Sequence, residues 1–336
     1  MSIQAKRFLI KTAAFGLLNA AILAAVLLFF SGRDRDVRLD IDETESNLLV
    51  MGENQHYGVA ILGTSRGRVL SRDGNHRVLE AILRERVINL SKGGGGGLMP
   101  AELHLSHFYD RGNTVDHILY LVDPWVFFSS INNENNDFFL RDEPFELSIL
   151  WKLIRDGYPR DRVFSYLQMI AVTDWAAISR YAGPGLTRGA LKAVDRTKLE
   201  EARQHYLDRY GEGNFERYSP FVDRINALAR ENGSRITYIL LPLLMRDFPG
   251  LPEVDRKLRA AAESADHVDY VNLESAMQDR RFFYDHMHFN TAGIAWFAKN
   301  ALRPILLGEA PRLMDATLAL PSDRKSTRLN SSHVSQ

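Results

Sequence analysis

Cysteine is absent from all 336 residues, which excludes disulfides, thiolate catalysis and cysteine-ligated metal centres. That absence fits the cytoplasm as well as a bacterial envelope protein that avoids stray oxidation. Net charge is absent too: 42 Lys and Arg balance 42 Asp and Glu, so no global field points to nucleic acid as a partner. No internal repeat is visible. What is present includes one conspicuous charge-free run. After Lys6, Arg7 and Lys11, the stretch Thr12–Phe30 carries no charge and is broken only by Gly16 and Asn19. At about 1.5 Å per residue this run nearly crosses a hydrocarbon core. Its exit, Leu27-Leu28-Phe29-Phe30-Ser31-Gly32, lacks the small-x-small pattern of a cleavage site, so an uncleaved anchor is expected. Basic residues flank both ends, with Arg33, Arg35 and Arg38 beyond the run, and the positive-inside rule barely decides the orientation. The short N-terminal tail makes a cytoplasmic N-terminus, with the main domain facing the periplasm or cell exterior, the expectation.

The remaining chain, in a protein 45% hydrophobic, suffices for one large α/β core or two modest ones. Residues 1–32 are read as the membrane anchor and 33–56 as a charged stalk. Apolar runs over 58–62, 87–90, 117–122, 235–241 and 268–273 read as strands. Between them lie helical patterns at about 68–86, 100–109, 220–232, 253–265 and 292–306. Strands alternating with helices imply a parallel sheet covered on both faces, an α/β domain spanning 57–307. Residues 126–215 are too long for one crossover and are mostly helical, which reads as an inserted cap. The tail is 308–336. Within it, 322–336 is polar and Ser-rich and resembles sequencing-adapter read-through, so it is expected not to be native.

Three segments carry chemistry. Gly63-Thr64-Ser65-Arg66-Gly67 follows the first strand and matches Gly-x-Ser-x-Gly. Such five-residue patterns recur by chance, and Ser65 also suits a plain helix N-cap. The carboxyl edge of a parallel sheet is nevertheless where such folds keep their sites. Asp285-His286-Met287-His288 is more specific. A carboxylate there can hold the imidazole Nδ1 while Nε2 faces a serine, all from one loop. His286 and His288 beside Asp285 also offer metal-type donors, but no further cluster supplies a third and fourth ligand. Lys92 precedes Gly93–Gly97 with no Gly-Lys-Ser/Thr following, so this is not a phosphate loop. It reads as an ordinary loop, or as one whose Gly94 N–H serves an oxyanion. Trp125, Phe127, Phe128, Trp151 and Trp175 are read first as core and second as a sugar or acyl lining. Arg66 is read first as solvated or ion-paired, and second as a binder of an anionic substrate group.

The order of these blocks resembles the SGNH/GDSL hydrolase superfamily. Gly-x-Ser at Ser65 comes first, then Asn-Leu-x-x-Gly-Gly over Asn89–Gly94, then Asp285, His288, Asn290 and Gly293 before the last helix. The resemblance covers roughly 57–125 and 235–306. It implies a three-layer α/β/α, flavodoxin-like parallel sheet, with Ser65 as nucleophile, His288 as base and Asp285 as its orienting acid. The backbone N–H groups of Ser65 and Gly94 would form the oxyanion site, and no cofactor or metal is needed. Two positions depart from the family. Thr64 stands where GDSL has Asp, and Val122-Asp123-Pro124-Trp125 stands where the third block, Gly-x-Asn-Asp, should supply a side-chain oxyanion donor. Asn132 or Asn133 is a possible substitute donor. The Pro-Trp pair and the anchor look like the branch containing the D-alanyl transfer protein of lipoteichoic acid esterification. That branch implies a serine esterase or O-acyltransferase on acyl esters of a cell-surface or exported glycan. It also implies a membrane-bound O-acyltransferase as partner. The missing Asn keeps open a catalytically weak, anchored binding or scaffold protein.

Overall fold

The computed structural model describes residues 2–31, 46–94, 96–135, 140, 143–172, 188–245 and 248–312. Most of the expected stalk, Trp175 and the tail from 313 onward lie outside the described residues. Helix α1 (Ile3–Phe30) is long and apolar enough to cross a membrane, and none of its most apolar window is buried in the protein. A signal sequence has the same length and composition.

Five strands form one parallel sheet: β1 (His56–Gly63), β2 (Val87–Asn89), β3 (Thr114–Val122), β4 (Arg235–Leu240) and β5 (Val268–Asn272). Their spatial order, β2-β1-β3-β4-β5, is that of a flavodoxin-like doubly wound sheet. The period-two alternation of strand side chains sorts the apolar residues into two cores. Ala60, Leu62, Ile118, Tyr120, Ile236 and Tyr238 point into one. Val59, Ile61, Leu119, Leu121 and Ile239 point into the other. Both faces of β1 are sealed, which is why its sequence runs apolar without alternation.

The second core is closed by α4 (Asn75–Leu83), α13 (Thr291–Phe297) and the helical turns that continue to Leu306. The first is closed by α5 (Leu98–Asp110), α11 (Pro220–Glu231) and α12 (Leu251–Glu263). Remaining helices are α2 (Asn47–Val50), α3 (Ser65–Arg68), α6 (Ser130–Asn133), α7 (Leu147–Arg155), α8 (Arg160–Val172), α9 (Arg196–Leu207), α10 (Asn214–Tyr218) and α14 (Arg303–Leu306).

Three expectations need correction. The stalk expected over 33–56 does not extend through its described part: Ser46, Asn47, Leu48, Leu49 and Met51 are buried, and Leu48 and Met51 join the first core because Glu143 accepts from Ser46, Asn47 and Leu48. The helix expected over 68–86 is broken: α3 ends at Arg68, and Asp73 and Gly74 take left-handed φ values of 58° and 74° before α4 begins. The apolar stripe alone does not reveal that turn. The segment expected as a cap over 126–215 is not one layer above the site. Ile149, Leu150 and Leu153 of α7 and Tyr166 of α8 are buried in the first core, so these helices widen its covering. The physical reason is the apolar spacing of α7, which gives it one face to bury against α5. Among the described residues of the segment, Arg188, Leu191 and Asp195, with Tyr206 of α9, reach the His288 loop.

Candidate functional site

In a doubly wound sheet, the chain leaves β1 in one direction for β2 and returns on the other side for β3. The carboxyl ends of β1 and β3 therefore diverge and leave a crevice. Ser65 lies just past the end of β1, and Asp123 just past the end of β3. Gly63 permits the turn. Its φ is 153°, and a Cβ there would sit 2.8 Å from the Leu121 carbonyl oxygen. Thr64 then caps α3, its Oγ1 accepting from the Arg66 N–H at 3.2 Å. Asn89 braces the next turn by donating to the Gly67 carbonyl and to Ser71 Oγ.

The last loop before α13 brings its residues to the same edge. Ser65 Oγ lies 2.9 Å from His288 Nε2, although 223 residues separate them. His288 Nδ1 lies 2.9 Å from Asp285 Oδ2 and 3.1 Å from Oδ1. With a carboxylate at Nδ1, that nitrogen carries the proton, and Nε2 accepts from the serine hydroxyl. Asp285 Oδ1 also accepts from the backbone N–H groups of Met287 and His288, at 2.8 and 2.7 Å. Burial pushes the Asp285 pKa up. The hydrogen bond and charge of His288, with the two N–H donors, outweigh it and hold the group below the ordinary carboxylate range. The loop is fixed at both ends. Phe283 pairs with Phe289 in an antiparallel bridge, and Asn290 caps α13 through Gly293 N while donating to the Arg281 and Phe283 carbonyls. The Tyr284 ring stacks on His288 with 5.5 Å between centroids and 7° between planes. The Arg188 guanidinium covers that tyrosine at 4.5 Å and pairs with Asp73 at 2.7 Å.

Arg66 and Asp123 form a part of the site that sequence reasoning did not assemble. Arg66 is ion-paired, one of its two first readings, and is not exposed to a ligand: its side chain is 2% exposed, and Nη1 lies 2.6 Å from Oδ1 of fully buried Asp123. Asp123 Oδ2 accepts from Thr64 Oγ1. Arg66 Nη2 donates to the Pro242 carbonyl beyond β4, and Nε donates to the Met287 carbonyl at 3.0 Å. One guanidinium thus ties the Ser65 turn, the β3 and β4 ends and the His288 loop together. The available signal was a charged residue just past the apolar end of each of two strands, Asp123 after residues 118–122 and Arg66 three residues after Gly63.

Gly94, the expected second oxyanion donor, sits in the β2–α5 loop with a left-handed φ of 75°. Gly96 of that loop packs so closely on the Gly63 carbonyl and on Thr64 Cα that it has no room for a Cβ. Asn133 does not offer a substitute donor. Its amide hydrogens go to the Val126 and Ser129 carbonyls, and its oxygen accepts from Met99 N. Asn132 is buried, and its backbone carbonyl accepts from Gly97 N. His286 turns away from His288: its Nε2 accepts from the Asp195 N–H at 3.0 Å. Among the described residues, no three His, Cys, Asp or Glu side chains form a group able to hold a metal. Trp125 and Phe127 are core. Trp125 stacks at 4.2 Å on Tyr206 of α9, whose hydroxyl contacts Met287 Sδ at 3.4 Å. Comparison of the chain with protein-family models and with curated proteins finds no match.

Proposed function

We propose that this protein is a membrane-anchored serine ester hydrolase or O-acyltransferase of SGNH type. The observation that carries the reading is the hydrogen-bonded series Ser65–His288–Asp285 at the crevice edge of the sheet. The order of the sequence blocks and the strand order both support the SGNH assignment. In this reading Ser65 Oγ attacks an ester carbonyl while His288 Nε2 takes its proton, and Asp285 holds the imidazole and stabilises its charge. The backbone N–H groups of Ser65 and Gly94 receive the oxyanion. His288 then returns the proton to the departing alcohol, leaving an acyl group on Ser65. Water as the next nucleophile makes an esterase, and a sugar hydroxyl makes an O-acyltransferase. Acyl esters of a cell-surface or exported glycan are the substrate class that the family resemblance implies, with a membrane-bound O-acyltransferase as the donor-side partner. No cofactor enters these steps.

A second reading rests on Asp123, in the block where the family pattern expects a side-chain oxyanion donor, and on Asn133, a candidate substitute for it; both are committed to structural bonds. Loss of one such donor typically costs about 10²–10³ in turnover. An anchored scaffold that binds glycan with little turnover follows from that loss. A fluorophosphonate probe, applied to the full chain and to Ser65→Ala in detergent micelles alongside acetyl-ester hydrolysis, separates the two. Labelling and hydrolysis that both vanish in the variant are expected. A folded wild type that takes no label would sink the nucleophile assignment and favour the scaffold.

A further inference from the structure

Large apolar side chains are well exposed at few described places outside α1: Ile131, Trp151, Ile154, Phe164 and Leu307. Three of these five lie on the adjoining helices α7 and α8. Trp151 and Phe164 are each 64% exposed, and Ile154 53%. Scattered surface hydrophobes need no explanation, but Trp151 and Ile154 lie one turn apart on α7, which packs on α8, and their neighbour is informative. The α1 helix ends against α7: Ser31 Oγ accepts from the Leu147 N–H at 2.8 Å, and Leu27 and Phe30 pack on the first core.

That contact fixes a depth. If α1 spans a bilayer, its last apolar turn at Phe30 marks the hydrocarbon boundary, and Ser31 stands at the headgroups. Leu147, bonded to Ser31, stands there too. At about 1.5 Å of rise per residue, Trp151 and Ile154 lie only about 6 and 10 Å further along α7. The interfacial zone on each side of a bilayer is about 5–8 Å thick. Leu147, Trp151 and Ile154 are spaced i, i+4, i+7 and share one helix face. The flanking apolar residues Ile149, Leu150 and Leu153 are already buried in the core, and Leu147 itself packs partly on it. An indole beside aliphatic residues at headgroup depth is the composition of an interfacial contact.

We propose that α7 and α8 dock on the lipid surface beside the membrane helix, with Trp151, Ile154 and Phe164 inserted at the headgroup boundary. The domain is then held in a fixed orientation on the bilayer, not swung freely on a tether. The inference rests on α1 spanning the membrane and is independent of the chemistry assigned to Ser65.

The cysteine-free chain allows a clean test. Trp151→Cys, Ile154→Cys and Phe164→Cys are each made in the full chain, labelled with an environment-sensitive fluorophore and placed singly in phospholipid nanodiscs. Ala21→Cys in mid-α1 reports the anchor. Lys299→Cys, exposed on the opposite side of the sheet, reports bulk water. The expected result is blue-shifted emission at 151, 154 and 164, with several-fold stronger quenching by a shallow nitroxide lipid than at 299. Ala21 is quenched by a deep nitroxide lipid. Quenching at 21 but water-like emission at 151, 154 and 164 overturns the docking alone. No quenching at 21 overturns the anchor and the docking with it. Blue-shifted emission without lipid quenching shows a protein contact instead of a lipid one and also overturns it.

Discussion

Replacing Asp123 with Asn strands a charge. The Arg66 guanidinium stays in a site where its side chain is 2% exposed and its partner 0%, sealed from bulk solvent. Removing one member of a buried ion pair costs about 3–5 kcal/mol. At about 2–4 °C per kcal/mol for a domain of this size, the thermal midpoint falls by about 6–20 °C. Asn preserves the volume and still accepts from Thr64 or Arg66, so no cavity contributes and the lower part of that range is expected. The double variant Arg66→Met/Asp123→Leu discriminates charge from packing. It removes both ions, and buried pairs exchanged for apolar groups are often neutral or stabilising. It also frees the Thr64 hydroxyl and the Pro242 and Met287 carbonyls, so some loss remains. Its midpoint should nevertheless fall by less than the sum of the two single changes. Fluorophosphonate labelling of Ser65 should slow in the double variant, because the His288 loop loses its tether at Met287. Thermal unfolding of the full chain in detergent micelles, with labelling rates measured in parallel, checks both statements. An Asp123→Asn midpoint equal to wild type, or a double variant worse than the summed singles, would refute the reasoning.

Asp285→Asn retains an acceptor for the Met287 and His288 N–H groups but loses the charge that fixes the imidazole. The fold should persist while Ser65 labelling drops by about 10³–10⁴-fold, read from probe kinetics. Gly96→Ala drives a Cβ into the Gly63 and Lys92 carbonyls. It should cost about 1–3 kcal/mol by thermal unfolding and slow labelling, whereas Gly189→Ala, with open space around it, should do neither. Glu143 is fully buried beside Lys92 at 3.2 Å and accepts from Ser46 Oγ and from the Asn47 and Leu48 N–H groups. Burial alone would raise its pKa; Lys92, nearby His104 and the Leu48 N–H outweigh it and hold it well below the usual range. A depressed folded pKa stabilises above the unfolded value, near 4.3, and that stability is lost as pH falls through the folded one. The midpoint gap between wild type and Glu143→Gln should therefore be full and flat from pH 5 to 8 and narrow only below about pH 4. A gap that shrinks as pH rises over 5–8 would contradict this.

What the sequence makes legible here is local. The inner strands β1, β3 and β4 announce themselves because both faces of the sheet are buried there, and a run such as Val59-Ala60-Ile61-Leu62 needs no tertiary information to be recognised. Asp285 and His288 are legible for the same reason: their partnership spans three residues on one loop. The turn at Asp73-Gly74 and the burial of α7 are less so. An apolar stripe reports that a face will be covered, without saying where the chain turns or which neighbour covers it. Arg66 and Asp123 show the limit most sharply. Alone, each is an ordinary charged residue, and only a sheet that places the end of β1 beside the end of β3 turns them into a pair.

That limit has a consequence for how the site is built. Ser65 and His288 lie 223 residues apart, and closing such a separation is slow and entropically costly until native contacts reward it. The contacts that reward it do not involve the serine. Arg66 meets Asp123 across the β1–β3 pair, then Pro242 past β4, then Met287 in the His288 loop, an order that follows the sheet outward from its centre. A guanidinium sealed against these partners penalises any arrangement in which one is missing, since the charge would then be buried without its full set of acceptors. The separation of Ser65 Oγ and His288 Nε2 is thus held from two sides, by the Arg66 hydrogen bond to the Met287 carbonyl and by the bracing of the loop at Phe283, Phe289 and Asn290.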